Sequence, residues 1–177
     1  MFFSLLKSGD EFEISNVIIK ITQPRIPCYK LGIKMNNKIL NIYNQTNQFG
    51  KFLDLILVEV KPGQVKYSVN VKKQHLATVK SAHGGFISAI FDQIVGTAAL
   101  SQSLSEDKLV STVEFKINYL KPVFLNDSLI GQGLVIKRGQ RLYTVKGEIY
   151  NQNKELIATG IATLCLLYTS PSPRDRG

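Results

Sequence analysis

Between Val65 and Val71 apolar and polar positions alternate, with Val65, Tyr67, Val69 and Val71 set against Lys66, Ser68 and Asn70. A period of two is that of a strand with one wet face. The run Leu53–Val60 predicts a second strand just before it, and Lys61–Gln64, with its Pro-Gly pair, predicts the turn between them. Upstream, Ile39, Leu40, Ile42, Tyr43 and Phe49 fall at roughly helical spacing, which predicts a short amphipathic helix over Lys38–Phe49. Lys72–Ala82 is polar and reads as a loop. Phe86–Leu104 is free of proline and apolar on more than one face, the mark of a helix buried in a protein interior. Four further strands are predicted at Leu109–Leu120, Ser128–Lys137, Leu142–Asn151 and Leu156–Leu164, with short hairpin connections at Arg138–Arg141 and Gln152–Lys154. Two strands, a helix and four strands make an α+β chain. One antiparallel sheet curled around one apolar helix satisfies the burial demands of both.

Composition agrees with a globular chain: 177 residues, 44% hydrophobic and 20% charged. No uninterrupted apolar run reaches the ~18–20 residues that cross a bilayer, so membrane insertion is not expected. Met1–Leu6 lacks the basic lead-in and cleavage site of a secretion signal. Two cysteines, Cys28 and Cys165, cannot build a disulfide framework, so a cytoplasmic location is expected, with an organelle left open. His75 and His83 are the only histidines, and no metal centre is expected. The net charge of +9 favours anionic partners in general. It is spread without a basic run of five, and neither a P-loop nor a Rossmann fingerprint is present, so no nucleic-acid partner is expected.

The two ends differ from the middle. Val17–Thr22 reads as a β-branched strand, and Thr22–Gly32 follows with two prolines bracketing Cys28. This segment resembles the cysteine motif of MOSC domains, the molybdenum-cofactor sulfurase C-terminal family, where the cysteine is implicated in handling the cofactor or its sulfur. A strand-rich piece of this size cannot bury enough apolar surface to fold alone, so residues 1–37 are expected to be a MOSC-like fragment. A molybdenum cofactor is implied only if that fragment is functional. At the other end, Cys165–Asp175 resembles the translation of a transposase adapter used in sequencing libraries. Residues 165–177 are therefore expected to be a non-native tail, excluded from the fold, with the true C-terminus missing.

The chemistry concentrates at His83-Gly-Gly and the helix behind it. Paired glycines, Gly84 and Gly85, open the helix and let another group approach its free amide N–H groups, which stabilise developing negative charge. Asp92 follows Gly85 by about two turns, so it is expected to project from nearly the same face. Its neighbours Ile90, Phe91, Ile94 and Val95 are apolar. A carboxylate in such a helix is costly unless paired or working, although a single wet stripe shared with Gln93 also accounts for it.

Pro62-Gly63, His75-Leu76, His83–Gly85, Asp92 and the strand ending Phe115–Pro122 together resemble the hotdog-fold acyl-CoA thioesterases of the phenylacetate-pathway type, over about residues 38–164. The resemblance implies a hotdog fold, a sheet wrapped around one central helix, preceded here by the short strand-rich fragment. It implies hydrolysis of acyl-CoA, with Asp92 as general base or nucleophile and the Gly84 N–H holding the oxyanion. CoA enters only as part of the substrate, and no further cofactor is implied. Acid and oxyanion donor come from different subunits in this family, so a homodimer or homotetramer is implied. Thr112 sits where the family can carry a water-orienting hydroxyl, although its alternation groups it with Glu114 and Lys116 rather than with Val113, Phe115 and Ile117. His83 is a candidate base that the family uses to support the turn, and His75 reads as a loop residue. Gly85, Lys137, Arg138 and Arg141 are candidate substrate contacts, the last three for CoA phosphates. Ala77 stands where the family carries an asparagine, which keeps a non-catalytic acyl-CoA or acyl-carrier binding module in view. Hydratases of this fold are disfavoured because no histidine follows Asp92.

Overall fold

The computed structural model describes residues 11–14, 17–20, 42–43, 45–106 and 108–168. Cys28 and its prolines, and the tail beyond residue 168, lie outside the described residues. In order the elements are β1 (Glu11–Ile14), β2 (Val17–Lys20), α1 (Gln48–Phe52), β3 (Ile56–Lys61), β4 (Gln64–Asn70), α2 (Gly84–Ser103), β5 (Lys108–Tyr119), β6 (Ser128–Arg138), β7 (Leu142–Tyr150) and β8 (Leu156–Tyr168). Among the described residues strands β1 and β2 pair only with each other, while β3-β4-β6-β7-β8-β5 form one antiparallel sheet. The sheet wraps α2. Ile90, Phe91, Ile94, Val95 and Ala98 on the helix are fully buried against Tyr67, Leu129, Val145, Ile149 and Leu164 from the strands. This is the hotdog architecture, and it gives the helix its protein-interior composition. By length and composition α2 is long and apolar enough to cross a bilayer although it holds no unbroken apolar run of that length, but most of it is buried inside the protein.

Glycine lets the helix lie this close to the strands. A Cβ on Gly133 would stand 2.3 Å from the Ile94 carbonyl oxygen, and one on Gly147 would stand 2.5 Å from the Phe91 ring. Backbone cannot rotate away as a side chain can, so Gly133→Ala should destabilise the fold by about 2–3 kcal/mol, read as a lower urea midpoint.

Several boundaries differ from the sequence reading for local reasons. The helix expected over Lys38–Phe49 is broken at Asn47, which caps α1 by accepting the Gly50 N–H at 2.9 Å. Leu53 is buried in the core rather than in a strand, and Asp54 turns left-handed with φ 57°, so β3 starts only at Ile56. Strand β8 continues through Cys165 to Tyr168, past the residue-164 boundary, with Leu166 buried and Cys165 opposite Ser111 and Leu142. The alternating Leu164, Cys165, Leu166 and Leu167 supply what a strand in this sheet requires, whatever their origin.

The loop before α2 carries His75, which is buried at 3% exposure and stacks on Phe86, with ring centroids 4.0 Å apart. Its Nδ1 accepts the Lys72 N–H at 3.1 Å, its carbonyl accepts the His83 N–H at 2.8 Å, and Nε2 has no partner among the described residues. Burial pushes the imidazole below its usual range; the Asp54 carboxylate opposes this and Lys72 adds to it. The neutral ring is therefore the folded form. Its stabilisation is complete above about pH 6.5, the unfolded value, and is lost as pH falls from there through the lower folded value. Melting temperature between pH 8 and pH 5 should accordingly fall more steeply in the wild type than in His75→Phe.

Candidate active site

Helix α2 leaves one stripe uncovered by its own sheet, along which Gly84, Gly85 and Asp92 are exposed and Ser88, Gln93 and Gly96 half-buried. Asp92 lies on this stripe and not among the apolar residues around it in sequence. The Thr112 hydroxyl donates to its carboxylate at 2.9 Å. Thr112 reaches the helix because of a bulge. Strand β5 pairs Thr112 with Leu164 but Glu114 with Thr163, so Val113 is an extra residue and the alternation reverses there. The grouping of Thr112 with Glu114 and Lys116 is thus corrected: Val110 and Thr112 face the helix before the bulge. Phe115 faces it after the bulge, with its ring 5.5 Å from that of Phe91.

His83 is the N-cap of α2, and its Nδ1 accepts the Gly85 N–H at 2.8 Å. That occupies the Gly85 amide. The Gly84 N–H, at the first helical position, has no acceptor among the described residues. One of the two expected bare amides is therefore engaged and one is open. Near it, the Ser88 and Tyr119 hydroxyls share a hydrogen bond, and Tyr119 also donates to the Gly84 carbonyl at 3.4 Å. Eight residues separate Gly84 from Asp92 on the helix, about 12 Å at 1.5 Å per residue. Within one chain the amide and the carboxylate thus do not point at one spot, as their shared face had suggested.

Beside Asp92 a second polar cluster appears that the sequence reading left out. The Gln93 amide donates to Thr97 Oγ1 at 2.9 Å and to the Tyr67 hydroxyl at 3.3 Å, and its carbonyl accepts from Asn47 at 2.8 Å. This ties the segment carrying Tyr43 to the middle of α2. Burial raises the Tyr43 phenol, the Gln93 side chain opposes that shift, and the nearby Tyr67 and Asp92 add to it. A glutamine inside an otherwise apolar helix was the available signal for this cluster.

Arg138 is paired with Glu106, which also accepts from Lys108 at 2.9 Å and from the Tyr143 hydroxyl at 3.1 Å. Lys108, Arg138 and Tyr143 together hold the Glu106 carboxyl below the usual carboxylate range, against a smaller effect of burial. Arg138 is therefore engaged at the protein surface, whereas Lys137 and Arg141 are exposed on the same turn. Glu106 follows the C-terminal end of α2, about 30 Å of helix from Gly84. The hairpin and the open amide of one chain lie at opposite ends of that helix.

Residues 80–158 match the Thioesterase superfamily, and residues 3–76 match the MOSC domain. Human acyl-coenzyme A thioesterase 13 is 25% identical over 125 residues, 70% of this chain and 88% of the relative. The E. coli PaaI protein from the phenylacetic acid degradation operon superposes with a TM-score of 0.70 at 20% identity, over 79% of this chain and 97% of that one. A Streptococcus mutans protein solved bound to acetyl CoA superposes with a TM-score of 0.59 at 28% identity, over 66% and 91%. The C-terminal part of the chain has the hotdog fold and carries the thioesterase-superfamily match, and a MOSC match precedes it. That match runs through β3 and β4, which the structure pairs into the hotdog sheet.

Proposed function

We propose that the protein hydrolyses acyl-CoA thioesters to free acid and CoA, acting as a homodimer or homotetramer. The observation that carries this is the Asp92 carboxylate, oriented by the Thr112 hydroxyl on the uncovered stripe of α2. In the reaction Asp92 takes a proton from water as the water oxygen attacks the thioester carbonyl. The carbonyl oxygen gains charge and is met by the Gly84 N–H of a second subunit, because the Gly84 of the same chain is about 12 Å away along the helix. The carbon–sulfur bond then breaks, and the CoA thiolate leaves and is protonated. His83 serves as the cap that fixes the helix opening, not as the base, since its Nδ1 is occupied by the Gly85 amide.

The second subunit also has a place to bind. Strand β5 is a sheet edge of 12 residues with Val113 and Tyr119 exposed, and an uncovered edge of that length favours pairing with another copy. In such a pair the exposed Lys137 and Arg141 of one subunit could face phosphates bound against the other. The acetyl CoA held by the Streptococcus mutans relative supports a CoA ester as the ligand.

Incubation with acyl-CoAs of graded length, with thiol release followed by a colorimetric reagent, tests the reading. Release above the uncatalysed rate is expected. Binding without release would overturn it in favour of a binding module, a reading that Ala77, with no polar side chain in the loop before the helix, keeps specific. For the MOSC-related reading, the described residues contain no group of three His, Cys, Asp or Glu side chains that could hold a metal, and Cys28 lies outside them.

A further inference from the structure

A groove runs from Asp92 along α2 toward its C-terminal end. Asp92, Gly96 and Leu100 follow one another at four-residue spacing on one helix face. Their exposure falls in that order: Asp92 is exposed, Gly96 half-buried and Leu100 only 8% exposed. The opposite wall is Val110 on β5 and the fully buried Leu164 on β8, and Tyr43 lies over the top. The mouth is polar and the closed end is apolar.

Gly96 is the unusual residue. Glycine in a helix interior costs about 1 kcal/mol relative to alanine. The strand glycine Gly133 has a packing reason, the close approach of the Ile94 carbonyl, but a Cβ on Gly96 would meet nothing within 4 Å among the described residues. The missing side chain leaves open space, and that space is the groove. Its volume is about 140 Å³, close to the ~150 Å³ that holds a benzene molecule in a protein interior, and so suits about six apolar carbons.

Resting on the thioesterase reading, we infer that this groove receives the acyl chain, that it accommodates about six carbons beyond the reacting carbonyl, and that Gly96 sets its depth beneath Tyr43. The carbonyl then lies at the mouth beside Asp92, and Leu100 closes the far end. Tyr43 and the Asn47–Gln93 bond that tethers its segment make the residues ahead of α1 part of the substrate wall.

Non-hydrolysable S-ethyl-, S-hexyl- and S-dodecyl-CoA, titrated calorimetrically into the full chain, test the inference separately from the chemistry. The wild type should bind the hexyl ether at least tenfold more tightly than the ethyl ether and the dodecyl ether no more tightly than the hexyl. Gly96→Leu, which improves helix propensity, should reduce the hexyl-to-ethyl preference at least tenfold, and Gly96→Ala should reduce it less. A preference that survives Gly96→Leu, or a dodecyl ether bound well beyond the hexyl, overturns the inference. Hydrolysis of the matching esters is followed in parallel. Absent thiol release with the Gly96 effect on binding intact would reject the thioesterase reading and leave the groove assignment standing.

Discussion

Asp92→Asn should lower the rate of thiol release from acyl-CoA about a thousandfold while leaving binding of a thioether analogue nearly intact. The amide keeps the size of the carboxylate and can still accept from the Thr112 hydroxyl, which now donates to Asp92 at 2.9 Å. What it cannot do is take a proton from water, and losing a positioned general base costs roughly 10²–10⁴ in rate. Because Asp92 is exposed on the single chain, the substitution leaves no buried charge or cavity behind, so the melting temperature should hardly move. Unchanged turnover in Asp92→Asn would remove the catalytic assignment outright.

Gly84→Pro deletes the other half of the site without a side-chain deletion. Proline has no N–H and is well accommodated at the first position of a helix. The residue before it must be extended, and His83 already is, with φ −71° and ψ 137°. The helix should form as before, and loss of the single open amide should cost about a hundredfold in kcat. A decisive version mixes the two variants. Each is defective in every site of its own homodimer. Random reassociation makes half of the dimers mixed, and one of the two sites in each then has Asp92 from one chain and the Gly84 amide from the other, so about a quarter of wild-type activity should return. No recovery, with sizing showing that subunits exchange, would place both groups on one chain and contradict the 12 Å separation argued from helix rise.

What could be read from the chain and what could not divide along the range of the interactions. Strand β4 and helix α2 declare themselves in the periodicity of their residues, since β4 buries alternate residues and α2 buries most of its surface in the core. Asp92 and Gly84 stood out because a charge and a glycine pair are anomalous in an apolar helix. Thr112 was assigned to the wrong set of strand neighbours because a bulge at Val113 is a property of two strands, and only one was being read. The occupation of the Gly85 amide by its own N-cap, and the capture of Arg138 by Glu106, likewise depend on partners whose approach no spacing rule reveals. His75 reads from the sequence as a loop residue, with no sign of its burial. Its stacking on Phe86 spans the loop and could be seen only once the loop was folded.

The bulge in β5 has a bearing on how this gene can change. Loss of the single codon for Val113 would make Thr112, opposite Leu164, and Glu114, opposite Thr163, neighbours in a regular ladder, with Thr112, Phe115 and Ile117 all still turned toward the helix. A codon lost further along the strand instead turns the side chains beyond it to the other face. An in-frame deletion at Val113 should therefore be better tolerated than deletions beyond it in the same strand.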